Sequence, residues 1–209
     1  MSFVSLEQRR NIFCHRGLWD SLTPQNSLSA NKSAAESGFS IETDIRQFMN
    51  RVVISHDSPQ SEKPPELSDL TSFMCSFALN IKEDGLQSLV GEFHPWITET
   101  NSFVFDGSLP EMYRYQKAGI PHALRLSEYE RTIPWNSGHI WLDSFHEDWW
   151  IKDRDLEKFL EGSRIVVVSP ELHGRDPRFV WDHLQNKSSK GKIDFSICTD
   201  RPLDFLNWK

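Results

Sequence analysis

Chemistry-bearing side chains in this 209-residue chain recur at one kind of place, where an apolar run gives way to a loop. The runs end in His15-Arg16-Gly17, Glu42-Thr43-Asp44, His56-Asp57, Asn80-Ile81-Lys82, Asp106-Gly107, Arg125-Leu126-Ser127-Glu128, Asp143-Ser144, Glu171-Leu172-His173 and Thr199-Asp200-Arg201. Residues two apart on a strand share a side, so Glu42 and Asp44 point together, as do Asn80 and Lys82. Two close carboxylates repel each other unless a cation lies between them, and a hard divalent ion with oxygen ligands suits such a pair. One polar strand end is merely chain running into solvent. Repetition at every strand, with histidines and carboxylates recurring, calls for an active site.

The elements that must position these residues alternate between strand and helix. Strands are expected over Asn11–His15, Ser40–Gln47, Arg51–Ser55, Phe77–Lys82, Ser102–Asp106, His122–Leu126, Ile140–Asp143, Arg164–Ser169 and Asp194–Thr199. Helices are expected over Asn26–Ser37, Leu67–Met74, Leu86–Ile97, Pro110–Lys117, Arg154–Glu161, Pro177–Gln185 and Leu203–Asn207. Met49-Asn50 reads as a hairpin turn, and Ser58–Glu66, with three prolines, as a loop. Such alternation implies βαβ units and a mainly parallel sheet, and about eight units of roughly 25 residues fit a compact (β/α)8 TIM barrel of the α/β class. Residues 1–209 then form a single domain. A doubly wound open sheet is the alternative, but Gly-x-Gly-x-x-Gly and Walker A loops are missing from the sequence. In a parallel barrel all the polar strand ends meet on one face.

Composition narrows the partners. The formal charge of -7 argues against a protein that holds nucleic acid by its phosphates, although a local positive site could still take a small phosphorylated ligand. No apolar run reaches the roughly 20 residues of a transmembrane segment, and the N-terminus lacks a signal-like stretch. Cys14, Cys75 and Cys198 are odd in number, far apart and in apolar settings, so they read as buried inert thiols in a reducing cytoplasm.

His15-Arg16-Gly17, Pro24-Gln25-Asn26-Ser27, Gly38, Glu42-x-Asp44 and His56-Asp57 together resemble the glycerophosphodiester phosphodiesterase family, and Asn80-x-Lys82 and Thr199-Asp200-Arg201-Pro202 resemble later blocks of it. The resemblance is sharpest over residues 11–57. It implies a (β/α)8 barrel and metal-dependent hydrolysis of a glycerophosphodiester-like substrate. It implies His15 and His56 as the acid/base pair and Glu42 and Asp44 as metal ligands. Arg16 and Lys82 become phosphate contacts, and Asn26 and Asp57 orienting residues around the first histidine and the mouth. Two positions depart from the pattern. Gln25 stands where the family usually has Glu, and Asn80 where it usually has an acidic third ligand. An amide oxygen binds Mg²⁺ or Ca²⁺ but adds no charge, so the site would hold its metal more weakly or recruit Asp106 or Glu171. With only Ser58–Glu66 where the family often inserts a cap, the pocket should be open.

Arg125 and Asp143 are candidates for binding the leaving group, and Glu171 and His173 for lining the pocket. Near neutral pH one histidine can take a proton while another gives one, which serves both halves of a phosphodiester cleavage. Two alternatives stand beside hydrolysis. One is a barrel that binds a phosphate ligand without turnover, which Asn80 favours; the other is a phospholipase that releases a cyclic phosphate. His94, His122, His139, His146 and His183 read as surface or packing residues, Trp149-Trp150 as outer packing or pocket rim, and Lys187–Lys192 as a solvated loop.

Overall fold

The computed structural model describes residues 6–153, 162–188 and 195–208. Nine strands are present among them: β1 (Ile12–His15), β2 (Ser40–Phe48), β3 (Arg51–Ile54), β4 (Phe77–Ile81), β5 (Phe103–Phe105), β6 (His122–Leu126), β7 (Gly138–Leu142), β8 (Arg164–Val168) and β9 (Phe195–Thr199). Eight of them run parallel in the order β1-β2-β4-β5-β6-β7-β8-β9, and β1 pairs with both β2 and β9, which closes the barrel. The ninth, β3, folds back antiparallel on β2 and stays outside the ring. The fold is therefore the expected compact (β/α)8 barrel.

Alternation along each strand sorts side chains into two cores. One side of each strand supplies the lumen, where Phe13, Ala78, Phe103, Phe105, Ala123, Trp141, Val166, Val168 and Cys198 form one buried cluster. Phe105 stacks on Trp141 with centroids 3.9 Å apart, and Phe13 meets Phe103 edge-on at 6.0 Å. The lumen is thus packed with rings. The other side, with Ile41, Leu79, Leu124, Ile140 and Ile165, packs against the helices in a second cluster that also takes Trp149 and Trp150. These two tryptophans are outer packing.

Period two also builds the site. Two residues beyond lumen-facing Phe13, Ala78, Ala123, Trp141 and Cys198 come His15, Asn80, Arg125, Asp143 and Asp200. The lumen is apolar below and polar at the C-terminal mouth.

Helix α1 (Leu6–Arg10) leads into β1. Helix α2 (Leu28–Glu36) follows, with the Ser27 hydroxyl accepting the Ala30 N–H as its N-cap. Gly17 sits beneath it with φ +86, and a Cβ there would lie 2.7 Å from the Ala30 carbonyl carbon, so only glycine fits. The expected helix over Leu86–Ile97 is instead two short ones, α3 (Gln87–Gly91) and α4 (His94–Glu99). Pro95 lacks an N–H and its ring would clash with the Gly91 carbonyl, which breaks a continuous helix. The expected helix Leu67–Met74 shortens to one 3-10 turn, Leu67–Leu70, ended where the Thr71 hydroxyl donates to the Ser68 carbonyl. Helices α5 (Leu109–Lys117), α6 (Trp149–Lys152), α7 (Arg178–Ser188) and α8 (Pro202–Leu206) complete the described set. The expected helix Arg154–Glu161 and most of the basic stretch Lys187–Lys192 lie outside the described residues. Cys14 and Cys198 are buried free thiols, whereas Cys75 is only half-buried and precedes β4 rather than lying in a strand. No described helix is long and apolar enough to cross a membrane.

Candidate active site

Strand register brings the first group together. His15 lies opposite Glu42 across β1 and β2, and Asp44 lies opposite Asn80 across β2 and β4. The His15 Nδ1–H donates to the Asp200 carboxylate at 2.8 Å, which leaves Nε2 3.9 Å from a Glu42 oxygen. Burial opposes protonation of His15, but the Asp200 hydrogen bond and the charges of Glu42 and Asp200 outweigh it, and its pKa is raised. Glu42 is 1% exposed, and burial pushes its carboxyl up to about 7. It accepts the Asn80 amide at 3.2 Å and the Arg16 backbone N–H at 3.1 Å.

Asp44 is fully buried between two cations, 2.9 Å from Arg16 Nε and 3.1 Å from Lys82 Nζ. Asn26 positions it, since its amide nitrogen donates to Asp44 at 2.8 Å while its oxygen accepts the Asp44 N–H and the Thr43 hydroxyl. Asn26 therefore orients Asp44 directly. Asn26 has φ 58, a left-handed conformation that asparagine tolerates better than most residues. Arg16 (φ 59) and Asp106 (φ 71) are held in the same region, so three non-glycine residues at the mouth carry backbone strain. The Gln25 side-chain oxygen accepts from Arg16 at 3.1 Å.

The opposite half of the mouth carries a second set. Arg125 lies 2.8 Å from Asp106 and also pairs with Glu130. His173 Nε2 meets the Asp143 carboxylate at 2.7 Å, and Asp143 is 5% exposed. Burial raises the Asp106 pKa, while Arg125 and Lys82 oppose that rise and Asp143 adds to it, so the two halves act on each other through Asp106. Glu171 is tied inward by hydroxyls of Ser169 and Thr199, and Trp181 Nε1 donates to that Ser169 oxygen at 2.8 Å.

His56 and Asp57 stand apart. They follow β3, outside the ring; His56 is 44% exposed and its ring bonds Asp57, itself 91% exposed, at 3.0 Å. Pattern reading singled out no role for Asp200, although it lies in the Thr199-Asp200-Arg201-Pro202 block. It also missed Glu128 and Arg175 as anchors of the loop after β7, because most of their partners are backbone groups of another segment.

Among the described residues no three His, Cys, Asp or Glu side chains are grouped to hold a metal. Glu42, Asp44 and the Asn80 amide oxygen nevertheless fit a hard cation. The Asn80 oxygen is a buried acceptor lacking a hydrogen-bond donor, while Asp44 already faces Lys82 and Arg16. A buried acceptor without a donor beside two carboxylates is what an oxygen-ligated cation satisfies.

A solved glycerophosphodiester phosphodiesterase from Thermotoga maritima aligns with the chain over 92% of this chain and 95% of that one, with a TM-score of 0.60 at 16% identity. The chain shares that enzyme's fold. A glycerophosphoryl diester phosphodiesterase from Parabacteroides distasonis aligns over 93% of this chain and 84% of its own, at 12% identity and a TM-score of 0.47. No family model and no curated protein sequence matches the chain.

Proposed function

We propose that the protein hydrolyses a small phosphodiester, glycerophosphodiester-like, at the C-terminal mouth of the barrel. The observation that carries this reading is the His15–Asp200 pair set against the buried Glu42, with the Asp44, Arg16 and Lys82 group beside it. Arg16 and Lys82 bind the phosphate and offset charge that grows on its oxygens in the transition state. Asp200 fixes Nδ1–H on His15, so Nε2 is the atom that exchanges a proton with the attacking or leaving oxygen. His56, at the rim, serves the other oxygen as the second proton-transfer group.

Glu42, Asp44 and Asn80 hold a divalent ion, Mg²⁺ or Ca²⁺. When bound, it polarises the phosphate and lowers the pKa of an attacking hydroxyl or water. Asp106, Arg125, Asp143, Glu171 and His173 line the side that faces the alcohol groups.

Phosphorus NMR of a glycerophosphodiester panel, with Mg²⁺, Ca²⁺ or EDTA, tests the proposal. A monoester product is expected, and His15→Ala should lower turnover by about 10² or more. Full activity in both His15→Ala and His56→Ala would refute the assignment.

A further inference from the structure

His56 lies outside the ring and is 44% exposed, so something other than burial must hold it if it is to exchange a proton at a fixed place. Its ring bonds the Asp57 carboxylate at 3.0 Å, but Asp57 is the next residue and is 91% exposed, so this bond does not tie the pair to the barrel.

The backbone is tied instead. Strand β2 continues to Phe48, past its last ring pairing at Ile45 and Ile81, and pairs there with β3. Two residues beyond Asp44, Arg46 falls on the same side of that strand. Its Nε–H donates to the His56 carbonyl at 2.9 Å, and its Nη1 lies 3.4 Å from one Glu83 oxygen. The other Glu83 oxygen accepts the Gln47 N–H at 2.6 Å. Glu83 follows Lys82, whose own N–H donates to the Ile45 carbonyl at 3.1 Å. On the other side of His56, the Ser55 N–H donates to the Asp44 carbonyl at 3.0 Å and the Ser55 hydroxyl to the Asp57 carbonyl at 2.7 Å. The segment Ser55–Asp57 is thereby fastened to the strand and loop that carry Asp44 and Lys82.

We infer that Arg46, braced by Glu83, is a positioning residue that holds His56 in register with Asp44 and Lys82. The inference rests on the reading of His56 above as the second proton-transfer group, and it supplies the reason an exposed histidine at the rim can act. A guanidinium suits the task. Its N–H groups leave one rigid plane in fixed directions, so a carbonyl and a carboxylate bound together fix each other's place. Hydrogen bonds from a charged donor are the strong ones, and Arg46, 21% exposed, is partly shielded from water.

The test uses the full chain with Mg²⁺ or Ca²⁺ and takes kcat and KM on whichever of glycerophosphocholine, glycerophosphoethanolamine and glycerophosphoinositol is cleaved fastest. Arg46→Gln should lower kcat by about tenfold or more and leave KM within about twofold. Added to His56→Ala, the same change should lower kcat by less than about twofold further, because the group it positions is gone. Arg46→Lys should recover at least about threefold of the loss, since it keeps a charged donor. Glu83→Gln, which removes the brace's charge but keeps an acceptor for the Gln47 N–H, should lower kcat by about threefold with His56 present and not without it. Equal losses with and without His56, or a loss carried by KM as a direct phosphate contact would give, overturn the inference while leaving a phosphodiesterase. Full activity of His56→Ala overturns the role of His56 and the inference with it. Failure of the parent chain to cleave all three diesters overturns the phosphodiesterase reading itself.

Discussion

Asp200→Asn perturbs the site where one hydrogen bond sets both the orientation and the charge of His15. The bond is 2.8 Å long and becomes charge-assisted on both sides when the imidazole is protonated. Hydrogen bonds to charged groups contribute about 1.5–3 kcal/mol. At about 1.4 kcal/mol per decade, losing that support in the transition state lowers kcat/KM by roughly 10- to 150-fold. The same change removes two of the influences that raise the His15 pKa, so the limb of the pH profile governed by His15 should move to lower pH. The asparagine is nearly isosteric, and near-UV circular dichroism with a melting temperature verifies the fold. Steady-state hydrolysis of bis(4-nitrophenyl) phosphate from about pH 5 to about pH 9 gives both readouts. A folded variant with kcat/KM within about twofold of the parent and an unmoved profile would refute the reasoning.

Lys82→Ala should lower kcat/KM for any diester by about 10² if Lys82 binds the phosphate; a drop under about threefold would contradict that role. Asn80→Glu supplies a third carboxylate beside Glu42 and Asp44 and should tighten Mg²⁺ or Ca²⁺ binding by at least about tenfold in calorimetry, and an unchanged affinity would argue against the three-residue cation site. Gly17→Ala forces a Cβ against Ala30 at positive φ and should cost more than about 2 kcal/mol in urea unfolding, with near-native stability counting against the close approach. His139 stacks on Phe103 at 4.7 Å, and burial with the Arg164 charge depresses its pKa to about 4. The unfolded chain therefore binds that proton first. This contribution is intact above about pH 6.5 and falls by about 3 kcal/mol as the pH drops toward 4. His139→Phe should flatten that part of the urea-measured stability curve, and an unchanged slope would remove His139 as its cause.

Much of the barrel is legible in the amino-acid sequence. Strand positions follow from short apolar runs, and the convergence of their polar ends follows from parallel pairing. Glu42-x-Asp44 and Asn80-x-Lys82 share sides because a strand has period two. Helix lengths were less legible. The split at Glu92–Phe93 depends on Pro95 meeting the Gly91 carbonyl, and the short turn at Leu67–Leu70 on a Thr71 hydroxyl bond, both effects of single residues on an otherwise helical pattern.

The sequence by itself determined which chemistry is available: paired carboxylates, two histidine motifs and local cations. Tertiary structure decided who meets whom. Closure of β1 onto β9 brings Asp200 to His15 from 185 residues away, a distance over which no local pattern operates. Register sets Asn80 beside Asp44, and the antiparallel turn of β3 leaves His56 at the rim rather than in the ring. The clamp of Glu128 and Arg175 on the loop after β7 was likewise invisible, because its partners, mostly backbone groups, come within reach only on folding. Strand periodicity is local physics, whereas ring closure and register are cooperative properties of the whole sheet.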